Sequence, residues 1–78
     1  MVSMSTYKTA RQVANAVSRY RDKYEMTLSD LSKAAGVVPN TIMNIERRGR
    51  TTLPVLLKVL NALDLDLVII ERRTDEEE

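Results

Sequence analysis

The chain has 78 residues, 44% of them hydrophobic and 29% charged, and contains no Cys, His or Trp. That length holds one domain with one small core, and the missing Cys and His exclude a disulfide framework and an ordinary zinc site. A single core below about 80 residues usually needs such a staple or a second subunit, so self-association is the route left to it.

No apolar run approaches the roughly 18 residues of a membrane span, and Met1 to Tyr7 has neither the charged start nor the apolar centre of a signal peptide. The sequence therefore reads as that of a cytoplasmic protein with no membrane partner. The formal net charge of +1 hides an asymmetry, because Asp75, Glu76, Glu77 and Glu78 close the chain and the part before them is mildly basic. A basic body suits a polyanion, while the acidic end reads as a solvated tail over 73–78.

Residues 1–8 read as a flexible lead-in. From Thr9 the apolar positions Val13, Val17, Tyr20 and Tyr24 recur at steps of four, three and four, which is the stripe of a helix. Thr9 with Gln12 three residues on is a capping-box pattern and sets the helix start near Ala10. Thr27 caps a second, short helix in which Leu28, Leu31 and Ala35 share a face and Asp30 stands in the first turn, at the positive end of the dipole. Gly36 is placed where a helix stop is expected, and Pro39 suits the first turn of a third helix whose apolar face is Val38, Ile42 and Ile45. Gly49 stops that helix after Glu46-Arg47-Arg48. Thr51 or Thr52 then caps a fourth, with Pro54 in its first turn and Leu53, Leu56, Leu57, Leu60 and Leu63 facing inward.

After Leu63 the period changes. In Leu65-Asp66-Leu67-Val68-Ile69-Ile70-Glu71 apolar residues cluster and alternate as in a strand, the alternative being that Leu65 to Ile70 extends the fourth helix or packs as an irregular tail. A lone strand leaves its backbone N–H and C=O groups unpaired, and no second strand is evident, so its simplest partner is the same strand of another copy. The expected architecture is thus an all-α domain of four helices over 9–64, followed by a dimerisation strand over 65–72 (Leu65, Leu67, Val68, Ile69 and Ile70) that pairs across a homodimer.

The second helix, the turn at Gly36 and the third helix form a helix-turn-helix, in which the first of the pair braces on the DNA backbone and the second lies in the major groove. The run Thr27-x-x-x-Leu31-Ser32-x-x-x-Gly36-Val37 through Thr41-Ile42-x-x-Ile45-Glu46 resembles the lambda-repressor/Cro class over roughly residues 10 to 63. Within that class the chain is similar to HipB-type antitoxins, through Ala10-Arg11-Gln12-Val13-Ala14-Asn15-Ala16-Val17, Thr51-Thr52-Leu53 and the terminal strand. The resemblance implies a lambda-repressor-like fold, an intersubunit lid made by that strand, and a HipA-type serine/threonine kinase toxin as partner. It also implies autoregulation of the operon, with repression tightened by the toxin.

On this frame Asn40, Thr41 and Asn44, with Met43 beside them, point toward base edges. Asn pairs with adenine N6 and N7, Thr offers its hydroxyl or methyl, and Met touches a thymine methyl. Arg47, Arg48 and Arg50 follow the recognition helix and are expected on phosphates, as are Thr27 and Ser29 with the free N–H groups of the second helix. Lys33, Arg11, Arg19, Arg21 and Lys23 are read as solvated surface, and Glu46 as the partner of a nearby Arg. Two positions depart from the family pattern: Leu28 and Pro39 stand where relatives often carry Gln, one a phosphate ligand and the other a base reader.

The expected function is a dimeric, sequence-specific repressor on a palindromic operator of double-stranded DNA, without cofactor or metal. A stand-alone or phage-type repressor without a toxin, and a protein-binding adaptor, remain as alternatives. An enzyme would need a carboxylate or Lys in a cleft that so small a domain scarcely has room to build.

Overall fold

A computed structural model describes residues 6–72, so the acidic tail expected over 73–78 and the first five residues of the lead-in lie outside the described residues. Four helices follow in order: α1 (Ala10–Lys23), α2 (Leu28–Ala35), α3 (Pro39–Arg48) and α4 (Leu53–Ala62). Each boundary has a local cause. At α1 the Thr9 hydroxyl accepts the Gln12 N–H at 3.1 Å while the Gln12 side chain accepts the Thr9 N–H at 3.3 Å. Thr27 and Asp30 make the same reciprocal pair at α2, both at 3.0 Å, and the Thr52 hydroxyl caps α4. Gly36 ends α2 at φ 73° and Gly49 ends α3 at φ 65°, a conformation open to Gly without strain.

The core is one cluster fed by all four helices: Val17, Leu31, Ala35, Ile42, Ile45, Val59, Leu60 and Leu63 are buried together. Tyr20, Met26, Leu28, Val37, Val55, Leu56 and Leu65 close over it from the rim. α3 packs on α1 and α2, and α4 packs on α2, so the recognition pair is held from behind by the outer helices.

Four expectations about side chains need correction. Val38 does not join the apolar face of α3: it is the residue before the helix and 62% exposed. Leu53 (58%) and Leu57 (37%) are exposed, and Val59, not one of the expected leucines, is the fully buried residue of α4. The cause is helical phase, because Val59, Leu60 and Leu63 share one arc while Leu53 and Leu57, four residues apart, share another. On α1 the small Ala14 and Ala16 are buried and Tyr24 is 45% exposed.

Residues 65–72 carry no regular secondary structure, and no strand occurs among the described residues. Leu65 tucks against the core, whereas Leu67, Val68, Ile69 and Ile70 are exposed, Ile69 at 93%. None of the described helices is long and apolar enough to cross a membrane.

Candidate nucleic-acid interface

α3 has two opposed faces. Ile42 and Ile45 are buried, and steps of about 100° per residue place Asn40, Met43, Asn44 and Arg47 on the other side, at i, i+3, i+4 and i+7. Asn40 and Arg47 are exposed, and Met43 and Asn44 are half-buried on the flanks of that outward stripe. Thr41 lies nearer the junction with the core and is also half-buried, its N–H donating to the Val38 carbonyl at 3.0 Å. The four expected base-reading residues therefore do not stand equally: Asn40, Met43 and Asn44 share the outward stripe, and Thr41 borders it.

At the far end of α3 the Gly49 N–H donates to the Ile45 carbonyl at 2.9 Å and the Arg50 N–H to the Asn44 carbonyl at 3.3 Å, which turns the chain sharply away. A side chain at Gly49 would meet Ala10 Cβ at 3.4 Å, so α1 passes close behind this turn. Arg47, Arg48 and Arg50 are exposed, and among the described residues none of them forms an ion pair. They form a cluster of free positive charge at the exit of α3.

Two arginines read as solvated surface are structural. Arg21 faces Glu46 with two contacts, Nε to Oε2 at 2.7 Å and Nη2 to Oε1 at 3.0 Å, and its Nη1 donates to the Met26 carbonyl at 2.8 Å. Both side chains are largely withdrawn from solvent, 17% and 11% exposed. The Glu46 hydrogen bond holds the Arg21 pKa above its ordinary value despite burial. The expected partnership of Glu46 with an Arg is thereby realised, and it ties α1 and the α1–α2 turn to α3. Arg11 donates from Nη1 to the Glu46 carbonyl at 3.0 Å and from Nη2 to the Arg47 carbonyl at 2.7 Å. It caps the negative end of the α3 dipole directly beneath the arginine cluster. The sequence signal for both roles is weak, since their partners lie 25 and 35 residues away.

At the start of α2 the capping box occupies the Thr27 and Asp30 amides, leaving the N–H groups of Leu28 and Ser29 as the open donors of the first turn. The Thr27 hydroxyl accepts within that box, and the Ser29 hydroxyl is exposed beside it. Leu28 packs against the core. A cleft between α1, α3 and α4 is lined by Ala10, Val13, Ala14, Ile45, Gly49, Thr51 and Leu56, with no titratable group among them. Among the described residues no group of three or more acidic side chains is arranged to hold a metal ion.

Two short helices at a Gly turn, the second with a polar outward stripe and an arginine cluster at its exit, define a helix-turn-helix DNA-binding domain. The chain matches the helix-turn-helix family over residues 17–70. It is 31% identical over 74 residues to the antitoxin HipB of Escherichia coli strain K12, which covers 94% of this chain and 84% of that protein. It superposes on a chain of the HipA-HipB-O2-O3 complex with a TM-score of 0.83 at 30% identity, covering 90% of this chain and 100% of that one. A chain of the HipB-O4 20-mer complex matches with a TM-score of 0.82 at 30% identity and the same coverage. The chain belongs to the helix-turn-helix family and, within it, to the HipB antitoxins.

Proposed function

We propose that this chain is a dimeric, sequence-specific DNA-binding repressor and the antitoxin of a HipA-type serine/threonine kinase toxin. The observation that carries the DNA-binding part is the face of α3 opposite Ile42 and Ile45, where Asn40, Met43 and Asn44 stand in one stripe with Arg47 at its end. Asn40 and Asn44 serve as adenine readers, with Thr41 and Met43 beside them. Arg47, Arg48 and Arg50 hold one phosphate strand, and Ser29 with the open amides at the start of α2 holds another, Thr27 standing beside them at the cap. With Leu28 turned into the core, the second phosphate contact falls to Ser29 and the backbone. The toxin partnership rests on the likeness to a protein whose structures include both HipA and operator fragments.

The homodimer is supported by apolar surface that a single copy leaves in water: Leu67, Val68, Ile69 and Ile70 in succession, and Leu53 with Leu57 on α4. Pairing residues 65–72 with the same segment of a second copy satisfies their backbone groups and buries those side chains. Two-fold symmetry then calls for a palindromic operator with half-sites separated by whole helical turns.

The test is a fluorescence-anisotropy titration on the chain's own upstream DNA and on a scrambled duplex, at two salt concentrations. Wild type should bind the native fragment more tightly, and Asn40→Ala/Asn44→Ala should lose that preference while keeping weak, salt-sensitive binding to both. Each lost reader should cost about 1–3 kcal/mol. Equal binding of wild type to both duplexes would move a protein-binding adaptor role to first place.

A further inference from the structure

Three of the four helices begin on a threonine whose hydroxyl accepts a first-turn amide: Thr9 from Gln12 at 3.1 Å, Thr27 from Asp30 at 3.0 Å and Thr52 from Val55 at 3.4 Å. The recognition helix is the exception. α3 begins on Val38, whose side chain caps nothing. Its backbone, at φ −79° and ψ 153°, is the extended geometry shared by the threonine caps, so nothing in the main chain demands a valine. Packing does not demand it either, because the side chain is 62% exposed and lies outside the core cluster. The chain forgoes a helix cap at one position and gains little burial in return, and such local losses concentrate at functional sites.

We infer that Val38 reads a thymine methyl group in each operator half-site. The inference rests on the DNA-reading function proposed above. Val38 and Pro39 place two residues without polar side-chain atoms at the N-terminal end of α3, the end of a recognition helix that approaches base edges. The C5-methyl of thymine is the apolar feature that the bases present in the major groove. Asn40 follows immediately and suits adenine, so the three residues together fit a short A·T-containing step, with the valine on the thymine and the asparagine amide on an adjoining adenine. A valine in that place also disfavours cytosine, which offers an N–H donor and no methyl.

The test removes one methyl at a time. Duplexes of the footprinted upstream operator are synthesised with each thymine in turn replaced by deoxyuridine, which keeps base pairing and deletes only the C5-methyl. Wild type should lose about fourfold in affinity per half-site at the thymine that Val38 reads, a position distinct from any thymine read by Met43, the worth of one buried methyl group. Val38→Ser restores a cap hydroxyl and removes both valine methyls. It should melt at a higher temperature than wild type, bind the thymine operator about fourfold more weakly per half-site, and be indifferent to deoxyuridine at that position. Asn40→Ala should keep the deoxyuridine response, separating the two readers. If wild type and Val38→Ser respond alike to every replacement while wild type still prefers the operator, methyl readout by Val38 is overturned and the repressor function stands. If wild type binds operator and scrambled duplex equally, the repressor function fails and the inference with it.

Discussion

Glu46 stands one step from the outward stripe of α3, yet its carboxylate turns inward to the Arg21 guanidinium with both oxygens engaged. Because both side chains are mostly out of solvent, removing one charge leaves the other buried and unpaired, which costs more than a surface ion pair contributes. Glu46→Gln keeps the shape and removes the charge. It should destabilise the fold by about 2 kcal/mol in denaturant titration, a loss that persists at high salt because the pair is shielded from ions. A different residue-scale cost sits at Glu25, which holds φ 56° in the turn between α1 and α2, where its N–H donates to the Asp22 carbonyl at 3.0 Å. A side chain in the left-handed region is strained by roughly 1–2 kcal/mol. Glu25→Gly should therefore raise stability by about 1 kcal/mol, or roughly 4–8 °C in melting temperature at fixed protein concentration. An unchanged or lower melting temperature would show that the turn is held by contacts of the glutamate itself.

At the scale of elements, α2 has only eight residues, too few to stand in water, and depends on its ends and on the core face of Leu31 and Ala35. Its start is tied by Asp30, whose carboxyl is held below its ordinary value of 3.8, first by the hydrogen bond from the Thr27 backbone N–H and then by that from the Thr27 hydroxyl. A depressed carboxyl pKa contributes stability that is present above the unfolded value and lost as pH falls through the lower folded one. Asp30→Asn should thus be less stable than wild type at neutral pH, and the gap should close as pH drops below 3.8. Circular-dichroism melts across that range would show it, and a constant gap down to the lowest pH would mean the carboxylate charge plays no part. The same capping box places an exposed carboxylate beside the Ser29 site. The phosphate contact proposed there is consequently made by N–H and O–H donors under a local negative charge, which limits its strength and leaves the arginines of the α3 exit as the main electrostatic anchor.

For the whole molecule the decisive feature is the exposed run from Leu67 to Ile70 together with Leu53 and Leu57. One copy of the chain has a single small core, and these side chains are the apolar surface that a second copy can add to it. Deleting residues 67–78 removes the run but spares Leu65, which packs on the core. The shortened protein should keep its helical circular dichroism, elute as a monomer in light-scattering chromatography, and lose most of its operator affinity because one half-site is held where two were. A truncated chain that remains dimeric would assign the interface to α4 and leave the run from Leu67 to Ile70 without that role.

The order and type of the four helices, the caps at Thr9 and Thr27, and the stops at Gly36 and Gly49 were set by the sequence itself, while the choice of Thr52 over Thr51 as the fourth cap came from the structure. Each is a local event, decided within three or four residues by which backbone groups a side chain can reach and which dihedral angles a residue tolerates. The outward stripe of α3 was legible for the same reason, since a helix has a fixed turn per residue once its buried isoleucines are placed. What only the tertiary structure decided is where those elements meet. Arg21 and Glu46 are 25 residues apart in the chain, and Arg11 lies 35 residues from the carbonyl it caps. No local pattern distinguishes these arginines from solvated ones. The same holds for Val38, Leu53 and Leu57: apolar residue type announces that a side chain avoids water, but the packing angle between helices determines whether it finds cover inside its own domain.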